Sequence, residues 1–355
     1  MHAGHKIKSV VFLFEYSFTG GFIYLNMIRF FSSGHQIIAR RLREFISKRR
    51  KEPLLLEGLS AAIKRLPSSL PVLEAKYAAL KAGFGGEQQL DRVFENYLFP
   101  MNYQVLHDLA LTSSTHFQID TLFITPYYAV IFEVKNIAGE LQVINNPPQL
   151  IRTLDNGEVK GFNSPITQVQ SNCELLRDWF HARNVSLPIY GAVVLAYSKQ
   201  RIDLFDTPIP FLYPNAVPTY IRHLPTESPL LDDAAFTRLT HDLIASHREF
   251  IPTPICSTYP IIRDKIITGV VCPSCGFLGM KKYMKGWRCP TCDGTSIDAH
   301  KQAIRDWFLL YGGKMMNKDC REFLHIERQN ATRILQSMDL RMEGANRNRT
   351  YSMFS

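Results

Sequence analysis

Between Tyr103 and Lys135 three strand-like runs follow one another with almost no chain between them: Tyr103 to Leu109, Gln118 to Thr125 and Ala129 to Lys135. The last two are joined by Pro126-Tyr127-Tyr128, a connection so short that the runs are expected to pair as antiparallel neighbours. Further on, Ile189 to Ala196 is nearly all apolar with one glycine, the pattern of a strand buried on both faces. Strands are also expected at Leu141 to Ile144 and Leu150 to Leu154, leading to the turn Asp155-Asn-Gly157. Ser164-Pro165 then opens a helix whose apolar stripe is Ile166, Val169, Cys173, Leu176 and Phe180. With one more amphipathic helix to about Ala245, the run predicts an α/β domain, a mixed sheet flanked by helices.

Upstream, apolar residues at Leu90, Val93, Phe94, Tyr97 and Leu98 mark one face of a helix. The punctuation Gly83-Phe-Gly-Gly86 predicts that it starts near Glu87. From about Ser33 to Leu80 the chain reads as basic helical pieces divided by Pro53, Pro67 and Pro71, an accessory arm. Arg40 to Arg65 holds nine Lys/Arg against three Glu, a concentrated share of the formal charge of +9. That excess favours a polyanionic partner, nucleic acid or an anionic membrane surface, without choosing between them. The apolar stretch from Val10 to Met27 is interrupted by Glu15, Gly20-Gly21 and Asn26, and no small-residue cleavage site follows. Neither a membrane span nor a signal peptide is therefore expected, and a natural start at Met27 is an alternative. With 46% apolar and 21% charged residues, the composition excludes global disorder.

Asp120 lies on the second of the three strands, and Glu133-Val-Lys135 closes the third. Side chains alternate across a strand, so Glu133 and Lys135 share a face and an antiparallel neighbour brings Asp120 beside them. Two carboxylates and an amine at one place are one solution to phosphodiester hydrolysis with Mg²⁺. The polar residues also break an otherwise apolar run, the kind of local conflict that functional sites produce. Strands end in charged residues at solvated edges as well, so the pattern alone admits a structural reading.

The stretch from Gly83 to about Ala196 resembles a NERD (nuclease-related) domain of the restriction-endonuclease-like superfamily. The resemblance is carried by Gly85-Gly86-Glu87, Phe117-Gln-Ile-Asp120, Val130-Ile-Phe-Glu-Val-Lys135-Asn136 and Asn163-Ser-Pro-Ile-Thr-Gln168-Val-Gln170. It implies that Asp120 and Glu133 bind a divalent metal, Mg²⁺ or Mn²⁺, and that Lys135 activates or positions the attacking water. It also implies catalytic roles for Glu87, as a further metal carboxylate, and for Gln168. The segment between Lys135 and Asn163, with Pro147-Pro148 and a hairpin of its own, departs from the pattern and decorates the sheet. Nuclease folds are also retained as binding modules after losing catalysis, so the resemblance leaves activity open.

Seven cysteines is an odd number, and their grouping points to metal binding rather than to a secreted disulfide framework. Four form the pairs Cys272-Pro-Ser-Cys275 and Cys289-Pro-Thr-Cys292, each followed by glycine or Asp-Gly, and the spacing fits a closed tetrahedral Zn²⁺ site of structural kind. Rubredoxin-like iron or a redox disulfide are the alternatives. The module resembles a zinc ribbon whose hairpin, Lys281 to Arg288, offers Lys281, Lys282, Lys285 and Arg288 around Tyr283 and Trp287 to phosphates and unstacked bases. Cys173 is assigned to the core, and His107, His116 and His325 to surface or packing.

Beyond the ribbon, Ala299, Ala303, Ile304, Trp307 and Phe308 face inward from one helix, a short second helix follows, and a third buries Ala331, Ile334, Leu335 and Met338. The third helix exposes Arg328, Gln329, Asn330 and Arg333, and a basic hairpin with Arg347 and Arg349 comes after it. This is the order of a winged helix with a recognition face suited to a major groove, although winged helices also mediate protein contacts. The expected division is an N-terminal extension and arm (1–80), the α/β domain (81–250), a linker (251–266), the zinc ribbon (267–295) and the winged helix (296–355). The expected function is a cytoplasmic, Mg²⁺-dependent deoxyribonuclease with no small-molecule cofactor. DNA is the expected partner, with RNA admitted and oligomeric state open. The alternatives are a catalytically silent nucleic-acid-binding or regulatory protein and a membrane-associated protein anchored by its N-terminus.

Overall fold

The β-branched and aromatic runs of the middle of the chain form a six-stranded mixed sheet in the order β1-β2-β3-β4-β8-β10. Its strands are β1 (Ile46–Lys48), β2 (Gln104–Thr112), β3 (His116–Ile124), β4 (Ala129–Lys135), β8 (Ile189–Leu195) and β10 (Phe211–Leu212). β2, β3 and β4 are antiparallel neighbours, while β8 runs parallel to β4 from Ala129–Ile189 to Lys135–Leu195. The computed structural model describes residues 45–68, 70–199, 201–204 and 207–354. The apolar N-terminal stretch, the alternative start at Met27 and the first part of the basic arm lie outside them. The described chain divides into two compact units, one of residues up to Lys51 with Ala82–Glu249, the other of Glu52–Lys81 with Phe250 onward.

In the first unit, one face of the sheet packs Ile119, Ile131 and Val193 against Val169, Leu176 and Phe180 of the helix Pro165–His181 and Phe236, Leu239 and Leu243 of the helix Asp233–Ser246. The other face packs Phe123, Val130, Phe132 and Val194 against Leu90, Val93 and Phe94. Pairing of β4 on both sides explains why the run Ala129–Val134 is wholly buried, Glu133 included. The decorating segment is a separate four-stranded sheet, β7-β6-β5-β9, made by β5 (Glu140–Asn145), β6 (Pro148–Thr153), β7 (Val159–Asn163) and β9 (Arg201–Asp203). Its β6–β7 turn is the expected one, with Gly157 at φ +83°. β9 and β10 were too short to announce themselves by alternation.

Two expectations are corrected here. Ile46–Lys48, placed in a helical arm by the sequence, is a strand whose neighbour Phe45 stacks on Tyr103 at 4.5 Å. The helix expected to start near Glu87 runs unbroken over Pro71–Asn96. A Cβ on Gly86 would lie 2.5 Å from Asn136 Cβ and 3.2 Å from Ala196 Cβ, so glycine there admits the ends of β4 and β8 to the helix backbone. Packing outweighs the glycine's poor helix propensity.

The second unit collects Leu59 and Ala62 of the helix Leu54–Arg65 with Ala303, Ile304 and Phe308 of the helix Ala299–Tyr311 and with Phe323, Ala331 and Leu335 of the helices Asn317–Leu324 and Arg328–Ser337. Ile255, Ile261 and Ile266, in the stretch expected to be a linker, are buried in the same core. Cross-chain packing, not local composition, sets these boundaries. Two small sheets complete the unit: β11 (Lys281–Tyr283), β12 (Gly286–Arg288) and β13 (Thr295–Ser296), and the set β14-β16-β15 of Met315–Met316, Thr350–Ser352 and Arg341–Glu343. Among the described residues no helix is long and apolar enough to cross a membrane.

Candidate functional site

The antiparallel ladder between β3 and β4 reaches from Ile124–Ala129 to Thr121–Phe132. Beyond that point the Val134 N–H is taken by a side chain, donating to Asp120 Oδ2 at 2.8 Å. A carboxylate thus occupies the place of a ladder carbonyl. In the β2–β3 register, His107 faces Thr121 and Leu109 faces Ile119, which sets Asp108 opposite Asp120. Asp108 has φ +52°, a left-handed residue in mid-strand, so backbone strain is concentrated where the carboxylate is presented.

Glu133 follows on β4 with 2% of its surface exposed. Its Oε1 accepts from Lys135 Nζ at 2.6 Å, and its Oε2 is buried with no hydrogen-bond partner among the described residues. A buried, unpaired carboxylate oxygen is costly unless something positive completes it. Lys135 Nζ also donates to Gln168 Oε1 at 3.0 Å, from the first turns of the helix Pro165–His181. Asp120, Glu133, Lys135 and Gln168 are therefore brought together.

Glu87 arrives from the middle of the helix Pro71–Asn96, where its Oε2 accepts from Arg50 at 2.6 Å. Asp91, one turn on, accepts from Arg50 Nε at 2.9 Å and lies 3.1 Å from His107 Nδ1. The same guanidinium donates to the Asp120 carbonyl at 2.7 Å and to Thr121 Oγ1 at 3.1 Å. Arg50 and Asp91 were not singled out by the sequence, and His107, assigned there to surface or packing, is buried beside them. Asp91 lies four residues from Glu87, one turn along the same helix face, a spacing that could have pointed to it. Nothing distinguishes Arg50 within its basic run.

Burial pushes Glu133 up to about 8, with the Asp120 charge adding to it. Burial and Asp120 together push Glu87 up to about 7, against the pull of Arg50. Asp120 is raised by burial against the Val134 hydrogen bond, and Asp91 by burial against Arg50. Burial holds His107 down to about 3, so the ring is neutral. The cluster carries more negative charge than its own cations compensate, a suitable environment for a divalent cation. Asp120 and Glu133 fit such an ion by the chemistry of their oxygens and by the unpaired Glu133 Oε2. Glu87 is committed to Arg50 and does not complete a tight three-carboxylate cage: among the described residues only the cysteines bring three or more ligand atoms within 4.8 Å of one another.

That second cluster comprises Cys272, Cys275, Cys289 and Cys292, with Cys272 and Cys292 sulfurs 3.7 Å apart and those of Cys275 and Cys289 3.6 Å apart. The two loops repeat one geometry. Gly276 N–H donates to the Cys272 carbonyl and Asp293 N–H to the Cys289 carbonyl, with positive φ at both Gly276 and Asp293. Backbone N–H groups of Cys275 and Ser274 lower the Cys272 thiol to about 6. A Cβ on Gly294 would come within 3.2 Å of Cys292 Sγ. Four sulfurs so placed could hold Zn²⁺.

Of the expected nucleic-acid contacts, Lys281, Lys285, Arg288, Arg328, Gln329 and Arg333 are exposed. Lys282 is turned inward, donating to the carbonyls of Met284 and Gly286, and Arg288 is paired with Asp293 at 3.0 Å. Trp287 is buried and donates to His300 Nδ1 at 3.0 Å, which corrects its assignment as a stacking face. Asn330 and Arg349 are half-buried, and Arg347 lies in the turn Asn346–Asn348, its side chain outside the described ones.

No curated protein and no solved structure gives a match to this chain. Residues 82–196, about a third of the chain, match the family model described as a nuclease-related domain, and the mixed sheet that carries Asp120, Glu133 and Lys135 is of the nuclease-like kind.

Proposed function

We propose that the chain is a nuclease that hydrolyses phosphodiester bonds in DNA with a divalent metal, Mg²⁺ or Mn²⁺. The observation that carries this reading is the opening of the β3–β4 ladder at Asp120, which sets that carboxylate beside Glu133 with one buried oxygen of Glu133 unpaired. Asp120 and Glu133 hold the ion. A divalent cation bound there supplies Lewis acidity to the phosphate being cut. Glu133 Oε1 and Gln168 Oε1 orient Lys135 and use two of the three N–H donors of an ammonium. The remaining donor points the attacking water, or a phosphate oxygen, toward the bond that breaks.

The four cysteines would hold Zn²⁺ as a structural ion. The order helix, strand, helix, helix and hairpin in 299–352, with Arg328, Gln329 and Arg333 exposed, supports a winged helix that adds affinity for DNA. Residues 267–295 form the ribbon beside it. Incubating the purified protein with plasmid and linear DNA in magnesium, manganese or EDTA tests the reading. Lys135→Ala is expected to lower cleavage by about 10²–10⁴-fold while DNA binding stays as in the wild type. Undiminished magnesium-dependent cleavage by that variant sinks the assignment. Equal binding by both proteins with no product in any metal would instead favour a silent nucleic-acid platform.

A further inference from the structure

We infer that Arg50 is a positioning residue standing where a second cation would otherwise be needed, so that the carboxylate site takes one divalent ion and Glu87 stays off it. The inference rests on the metal-site reading above and adds the ion count and the part played by Arg50, which lies outside the matched stretch 82–196.

The geometry comes first. The Arg50 side chain is 4% exposed and its guanidinium spans two carboxylates of one helix face, Glu87 at 2.6 Å and Asp91 at 2.9 Å. It also donates to the backbone of Asp120 and to Thr121 Oγ1, so the planar fork ties the helix Pro71–Asn96 to the strand that presents the metal carboxylate. His107, neutral, meets Asp91 from the other side without adding charge.

Charge comes second. Glu87, Asp91, Asp108, Asp120 and Glu133 influence one another electrostatically, and the cations among them are Lys48, Arg50 and Lys135. Arg50 pairs with Glu87 and Asp91, whereas Lys135 alone faces Glu133 and Asp120, so the negative charge left over lies at the pair that would hold one divalent ion. Without Arg50 the deficit grows by one, and it falls on Glu87 and Asp91, whose oxygens would face the vacated space. Hard cations seek such oxygen-rich, under-compensated sites.

The test counts Mn²⁺ bound to the full chain by electron paramagnetic resonance and calorimetry at pH 8. Mn²⁺ prefers oxygen ligands, which keeps it from the cysteines. The wild type and Arg50→Lys should bind one ion, and Arg50→Ala and Arg50→Gln should bind two. A single ion in folded Arg50→Gln, or two in the wild type, overturns the inference and leaves the nuclease reading standing. A wild type that binds none overturns both, and Asp120→Asn that binds as well as the wild type overturns the metal site itself. Should the Arg50 variants not fold, Glu87→Gln decides: it should keep one ion with affinity within about fivefold, whereas Asp120→Asn should lose at least about fiftyfold. A loss in Glu87→Gln as large as that in Asp120→Asn makes Glu87 a ligand and overturns the inference.

Discussion

Arg50 and Arg65 lie fifteen positions apart in one basic stretch, and each is buried in a different unit. Arg65 meets a single carboxylate, donating from Nε and Nη2 to Asp306 Oδ2 at 3.1 and 2.8 Å. Its Nη1 goes to the carbonyls of Ile267 and Gly269, its face lies 4.7 Å from the centre of the Phe323 ring, and the other Asp306 oxygen accepts from Gln302. Every charge there has its opposite and every oxygen its donor. Arg50 stands between two carboxylates, Glu87 and Asp91, in a cluster where one Glu133 oxygen has no donor among the described residues. Burial works against its charge, yet Glu87 and Asp91 hold its pKa above the ordinary value. The first pair is closed on itself, and the second cluster leaves an acceptor unmet among the described residues.

The cysteine cluster belongs on the closed side, and the largest effect should come from opening it. Cys275→Ser, or a strong zinc chelator, is expected to abolish the cooperative thermal transition of the second unit and to release one zinc per chain, read by mass spectrometry of the metal. An unchanged melt would mean that the thiols are not a structural site. Next, Asp306→Asn leaves Arg65 buried without a charged partner and should cost about 3–5 kcal/mol in urea unfolding. Manganese binding should be unaffected, and any change in it would blur the line between the two arginines.

Gly86→Ala tests how closely the open site depends on helix position. Helix propensity alone favours alanine by about 1 kcal/mol, but the clash with Asn136 should reverse the sign and give a net loss of about 1–3 kcal/mol. A stabilised variant would show that the helix can move away from β4 without penalty. The smallest effect is on pH dependence. Metal needs the carboxylates charged, and burial with the Asp120 charge raises Glu133 to about 8, so a proton competes with the ion below that pH. Manganese affinity should fall by roughly tenfold per unit on going from pH 8 to 7, and little from 9 to 8. A flat profile by calorimetry would remove Glu133 from the site.

How far each site could be read from the sequence follows the same division. The cysteines lie within one short stretch, and their spacing dictates their geometry, so little packing is needed to find them. Asp120, Glu133 and Lys135 were legible because strand alternation and an antiparallel partner bring them together by rule. Arg50 and His107 were not, because they meet the cluster through contacts between residues up to about seventy positions apart that leave no local period. The helix start near Glu87 was misplaced for a related reason. Glycine is a local signal of interruption, and only the approach of Asn136 and Ala196 reveals that it serves contact instead. Trp287 shows the converse, an aromatic in a basic hairpin whose ring is claimed by His300.

The helix Leu54–Arg65 buries Leu59, Ala61 and Ala62 in a core whose remaining members begin at Ile255 apart from the residues just after it. During synthesis it leaves the ribosome with its apolar side uncovered. At ordinary elongation rates of about 5–20 residues per second, its distant partners emerge roughly 10–40 seconds later. The nascent chain therefore carries a sticky helix throughout production of the nuclease-like sheet. Fragments ending near Glu249 should need a chaperone to stay in solution even when that sheet is intact.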